Sequence, residues 1–200
     1  MPRIDAPTVA EHRARQAAGL TDAAERLLRD GGWSALTFAA LGEATGLARS
    51  SVYEYFRTRD EVALAVCERA FPRWRERTEA AVAAAGEESL AQVAAYVGAQ
   101  LDLVDAGEHR IAQELARAPL AAEVRARIGA LHAGWLDLLD APLAALGVER
   151  PRRVAGLVQG VVEAATRQLQ AAPGERDEVV AAAVGFATAA VAAAPATLAR

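Results

Sequence analysis

No window of this chain alternates β-branched and polar residues with period two, and almost every window is rich in alanine, leucine, arginine and glutamate. Those four residues enter a helix at the lowest cost in backbone and side-chain freedom. A strand needs the other pattern. The chain is therefore restricted to helices, and its breaks must fall where Gly and Pro cluster. At 200 residues it has core enough for one large domain or two small ones.

About nine helices are expected. The first runs from about Thr8 to Arg29, and "DGGW" ends it. A short second helix starts at Thr37, an N-cap residue, and buries Phe38 and Leu41 before Gly46 breaks it. A third covers about Ala48 to Tyr55. Thr58 and Glu61 have capping-box spacing and open a long fourth helix, about Arg59 to Ala85, with Pro72 inside it. Ser89 and Gln92 repeat that signal for a fifth, to about Asp105. A sixth covers about Glu108 to Arg117. A seventh is expected over about Ala121 to Leu146, with Pro142 ending or kinking it. The eighth begins at Pro151, a favoured first-turn position, and reaches about Ala171. The ninth runs from about Asp177 to Ala194.

Charge excludes little. The net charge is −4, and up to residue 60 arginines and carboxylates cancel at eight each. Any nucleic-acid reading must rest on where the arginines sit. Cys67 is the only cysteine, so neither an intrachain disulfide nor a multi-cysteine metal site is possible. His12, His109 and His132 lack metal-ligand spacing, and no catalytic cluster or phosphate loop is visible. No metal, cofactor or catalytic residue is expected, and the chain is not read as an enzyme. The start has no apolar core of the signal-peptide kind. The uncharged stretch from Val179 to Ala199 could span a bilayer by length. Its alanine content and Pro195 favour a buried helix instead, so no membrane partner and a cytoplasmic protein are expected.

Residues 37–56, "TFAALGEATGLARSSVYEYF", read as two short helices around a glycine turn, with Phe38, Leu41, Leu47 and Val52 as a shared core. That is the pattern of a helix-turn-helix. Two of the three tyrosines, Tyr53 and Tyr55, fall here. Two residues apart on a helix they point about 200° apart, so both cannot enter the core.

The wider stretch "AAERLLRDGGWSALTFAALGEATGLARSSVYEYFRTRDEVALAV" resembles the TetR family of bacterial transcription regulators. The matching features are "LLRDGGW", Thr37, Leu41, "TGL", "SSVYEYF" and "TRDE", and they cover roughly residues 10–70. The resemblance implies an all-α chain with an N-terminal arm (1–9), a three-helix DNA-binding domain (10–57), and an effector-binding and dimerisation domain (58–200). It implies a homodimeric regulator, a repressor released from a palindromic double-stranded DNA operator by a small ligand. Ala48, Arg49, Ser50 and Ser51 match the start of the recognition helix, with Arg49 suited to guanine or phosphate. Tyr53 and Tyr55 match positions that face the DNA backbone, Phe56 a core position, and Arg59 a phosphate-facing position at the start of helix four. Thr37 caps helix two and can donate to phosphate. Three residues depart from the pattern. Gly42 stands where alanine is usual, at about 1 kcal/mol of helix propensity. Ala48 replaces a hydroxyl cap, and Glu54 would repel phosphate if it faced inward.

In the C-terminal part, Gly156 and Gly160 lie one turn apart, as do Ala181, Gly185 and Ala189. Such spacing lets helices approach closely, within the chain or between two copies. The resemblance assigns these two helices to the dimer interface and helices four to seven to an effector pocket. The polar and aromatic candidates there are Trp74, Tyr96, Gln100, His109, Gln113, His132 and Trp135, and alanine-rich surroundings suggest an apolar effector.

Overall fold

The computed structural model describes residues 9–105 and 107–198, and all of its regular elements are helices. Apart from Val9, the expected N-terminal arm lies outside the described residues. The chain divides into two compact units, residues 1–69 with 110–128, and residues 70–109 with 129–200. Three helices pass from one unit into the other.

The first unit contains α1 (Val9–Ala35), α2 (Phe38–Thr45), α3 (Arg49–Val52), the first part of α4 (Arg59–Ala84), most of α6 (Glu108–Arg117) and the start of α7 (Ala122–Ala133). Leu20, Leu28, Leu36, Leu41, Val52, Val62 and Val66 are fully buried. Each such aliphatic side chain gains about 1.5–3 kcal/mol over exposure. The polar caps expected at α2 and α4 are present. Thr37 Oγ1 accepts from the Ala40 N–H at 3.1 Å. Thr58 Oγ1 accepts from the Glu61 N–H at 3.1 Å, while Glu61 Oε2 accepts from the Arg57 N–H at 2.7 Å. Cys67 is buried, and burial, helped by the Glu68 charge, pushes its thiol up to about 12.

Gly42 has a different meaning from the one its helix propensity suggests. A Cβ at Gly42 would lie 2.6 Å from the Leu47 carbonyl oxygen, a backbone atom that cannot swing aside. Gly46, at φ 71°, ends α2 in the left-handed region, and the Leu47 N–H returns to the Gly42 carbonyl at 2.9 Å. This six-to-one bond draws the turn tightly over α2. Glycine at 42 makes room for it.

The second unit holds the rest of α4, α5 (Ser89–Asp105), α8 (Asp140–Ala145), α9 (Pro151–Ala171) and α10 (Arg176–Leu198). The fifth helix is capped one residue earlier than expected. Glu88 accepts from the Leu90 and Ala91 N–H groups, and Gln92 donates to the Gly86 carbonyl. The long seventh helix is divided. It stops at Ala133, passes through a 3-10 turn (Leu136–Leu139) and resumes as α8. Gly134 supplies the break, its carbonyl accepting from Arg75 Nη1 at 2.8 Å. Pro142 lies in the first turn of α8, where its missing N–H is harmless.

A core of α5, α8, α9 and α10 side chains closes this unit. Within it the Tyr96 hydroxyl donates to Gln159 Oε1 at 3.0 Å. Burial raises the Tyr96 phenol, so it stays protonated and able to donate. α10 is not the buried helix that its composition suggests. Val179, Ala183, Ala187 and Val191 form one buried stripe at every fourth residue. Val180, Val184 and Ala194 are half-buried beside it, most of the other described side chains face outward, and only 22% of its most apolar window is buried. By length and composition alone, Arg176–Ala194 could cross a membrane.

Two outcomes are expected. Gly42→Ala lowers the unfolding free energy by about 1 kcal/mol or more in urea titrations, although alanine is the better helix former. Burial, aided by His132, lowers His109 to about 4. Between its unfolded value near 6.5 and about 4, the unfolded chain binds the proton and the folded chain does not. Stability should therefore fall as pH drops through that window, and His109→Gln should flatten the slope.

Candidate functional site

The turn pinned at Gly42 presents α3 on a small apolar base. Val52 and Leu41 are fully buried and Phe38 nearly so, while Leu47 and Phe56 are half-buried. Regular helix covers only Arg49–Val52, shorter than the expected Ala48–Tyr55. Ala48 gives it no side-chain cap. Beyond Val52 the chain keeps winding, with the Tyr55 and Phe56 N–H groups both donating to the Val52 carbonyl at 3.1 Å. Side chains through residue 56 are thus still carried on helix-like turns.

Ala48, Arg49 and Ser50 are exposed and Ser51 half-buried. Tyr53 is 45% exposed. Its ring stands edge-on to Phe38, centroids 4.5 Å apart. Its hydroxyl accepts from Arg49 Nη2 at 3.3 Å, and the Arg49 guanidinium lies 5.9 Å from the ring centroid. Arg49 and Tyr53 therefore form one exposed unit, four residues apart on the same face. Tyr55 is half-buried, with the Arg13 guanidinium 5.4 Å from its ring centroid. The geometry matches the steric argument from sequence, since neither tyrosine is in the core. Across residues 37–59 three arginines face two glutamates, which leaves a small positive balance.

Thr37 spends one oxygen lone pair on the α2 cap and keeps its hydroxyl proton. Arg59 is not free to swing outward. Its guanidinium lies 4.1 Å from the Trp33 ring centroid and Nη2 donates to the Trp33 carbonyl. Two residues here carried no sequence signal. Arg13 Nη2 donates to the Glu54 carbonyl at 2.9 Å, so α1 holds the turns that follow α3. Glu114 of α6 accepts from the Trp33 N–H at 2.9 Å.

The candidate effector residues do not form one group. Trp74, His132 and Trp135 cluster with Phe71, ring centroids 5.1 to 6.2 Å apart. Burial lowers His132 as well as His109, which keeps both rings neutral. Gln100 Nε2 donates to Thr78 Oγ1 at 3.4 Å, and that hydroxyl donates to the Trp74 carbonyl. Trp74 Nε1 and Gln100 Oε1 are buried without a hydrogen-bond partner. Tyr96 is engaged by Gln159, and Gln113 falls in the first unit. No group of His, Cys, Asp or Glu able to hold a metal occurs among the described residues.

The five small residues singled out on α9 and α10 face outward. Gly156, Gly160, Ala181, Gly185 and Ala189 are exposed, and a Cβ added at any of the three glycines would meet nothing within 4 Å. Close packing inside the chain does not explain them. Leu157 is 72% and Phe186 68% exposed beside them. An open groove of about 320 Å³ runs between the two helices, lined by residues including Val161, Ala182 and Phe186.

The family profile of the bacterial regulatory proteins of the tetR family matches residues 20–66. A search of curated proteins returns no match. Among solved structures, a Rhodococcus protein assigned to the TetR-family transcriptional regulators is 15% identical, with a TM-score of 0.73 over 89% of this chain and 99% of that one. The transcriptional regulator FadR from Bacillus subtilis, in complex with stearoyl-CoA, is 18% identical, with a TM-score of 0.70 over 88% and 98%. AibR, in complex with isovaleryl coenzyme A and operator DNA, is 18% identical, with a TM-score of 0.69 over 86% and 97%. At such identities the likeness is one of fold. Residues 20–66 thus match the N-terminal domain of the tetR family of bacterial regulatory proteins, and the chain as a whole shares the fold of these solved structures.

Proposed function

We propose that the protein is a homodimeric repressor that binds a palindromic double-stranded DNA operator and is released from it by a small, largely apolar effector. The carrying observation is the exposed Arg49–Tyr53 unit on a helix-turn-helix whose apolar side is buried. A short helix braced in this way suits the major groove. In this reading Arg49 supplies the donors for guanine or phosphate. Ala48, Ser50 and Ser51 approach base edges, while Thr37, Tyr53 and Tyr55 face the sugar–phosphate backbone. Arg59 contributes by holding Trp33 rather than by reaching phosphate.

The effector reading is supported by the aromatic cluster of Phe71, Trp74, His132 and Trp135, and by the unpartnered Trp74 Nε1 and Gln100 Oε1, whose residues are linked through Thr78. A buried donor and a buried acceptor left open cost about 1–3 kcal/mol each, which a bound molecule would offset. Acyl-coenzyme A thioesters are the first probes, because two similar folds are complexes with them. The switch would be a population shift, with effector favouring a position of α4 in which the two recognition helices no longer match the operator. The exposed Leu157–Phe186 face supports pairing of α9 and α10 with a second copy.

A mobility-shift assay on DNA upstream of its own gene is expected to show a complex that weakens with salt. Arg49→Ala should reduce affinity about tenfold or more. No complex at low salt on that or neighbouring promoters would overturn the reading. Gel filtration should give twice the 21.0 kDa chain mass, and Phe186→Arg should shift it toward the single-chain value.

A further inference from the structure

We propose that Glu114 is a positioning residue for DNA binding, acting from α6 on the helix-turn-helix through the backbone of Trp33. The inference rests on the DNA-binding reading above. Its basis is the kink at Gly32, one turn before the end of α1. Gly32 has φ 67° and ψ −167°, a region open in practice to glycine alone. A Cβ there would lie 2.5 Å from Glu114 Oε2. The backbone is therefore bare where the carboxylate enters, and the kink aims the Trp33 N–H at it. That bond is 2.9 Å long and has a charged acceptor, which makes it stronger than a neutral one.

The other polar backbone atom of Trp33 is committed as well. Its carbonyl accepts from Arg59, the first residue of α4, whose guanidinium stacks on the Trp33 ring. Trp33 thus joins α6 to the helix that follows the recognition segment, and it does so just ahead of the Thr37 cap that starts α2. Two more carboxylates hold the same stretch of chain in register. Asp60 Oδ2 accepts from the Ala121 N–H at 2.7 Å, and Glu68 pairs with Arg127 at 2.6 Å. The second is an exposed ion pair and contributes little by itself. Glu114 has the shorter lever, because it touches the residue that sets both α2 and Arg59. α6 begins at Glu108, so the carboxylate rides on a helix whose first two residues, Glu108 and His109, belong to the second unit.

Three variants test this: Glu114→Ala, Glu114→Met, which fills the space without an acceptor, and Glu114→Gln, which keeps one. Hydrogen exchange at the Trp33 amide and affinity for upstream DNA are read on each full-length protein, with thermal unfolding as the control for folding. Glu114→Ala and Glu114→Met should speed exchange at Trp33 and weaken DNA binding about tenfold. Glu114→Gln should restore both toward wild type. Unchanged exchange in Glu114→Ala and Glu114→Met overturns the assignment, as does wild-type DNA affinity in both. A uniform loss of stability in all three, with no rescue by glutamine, reduces Glu114 to a structural role and also overturns it. A wild-type protein that binds no DNA overturns the DNA-binding reading instead, and the exchange result then decides Glu114 by itself.

Discussion

The approach of the Leu47 carbonyl to the Cα of Gly42 is the contact on which the N-terminal unit depends. It closes the turn between α2 and α3, and the Leu47 N–H bond to the Gly42 carbonyl holds it closed. With the turn fixed, Leu41 and Val52 are fully buried and Phe38 nearly so. Burying that face leaves Arg49, Ser50 and Tyr53 outward, because a helix cannot turn one face in without turning the other out. The exposed surface is thus set by an apolar constraint on its far side.

Local chemistry was legible in the sequence. The Thr37 and Thr58 caps, the Gly46 stop and the separation of the two tyrosines all follow from neighbours within a few residues. The Arg59–Trp33–Glu114 chain was not, since its partners are 26 and 81 positions apart. Propensity misjudged Gly42, because its role lies in a contact that only the folded turn creates. The seventh helix shows the same limit. Alanine and leucine run through Gly134 without a visible stop, and the break there is fixed by a tertiary bond from Arg75.

Composition also misjudged α10. A helix that is alanine-rich and uncharged from Val179 onward looks wholly buried, yet one buried stripe of four small or branched residues carries most of its packing on α5 and α9. The remaining apolar surface, with Phe186 of α10 and Leu157 of α9 both exposed, is unusual for a surface open to water. What looked like a core helix is a helix with two apolar faces, one of them spent inside the chain.

Cys67 gives the fold an internal reporter. Its sulfur is sealed within the first unit and its thiolate is suppressed by burial, so oxidants and alkylating agents find almost no nucleophile in the native chain. Reaction at that sulfur must wait for the surrounding helices to separate. The single thiol therefore reads out opening of the headpiece in an unlabelled protein, and the rate of its modification measures how often that unit comes apart.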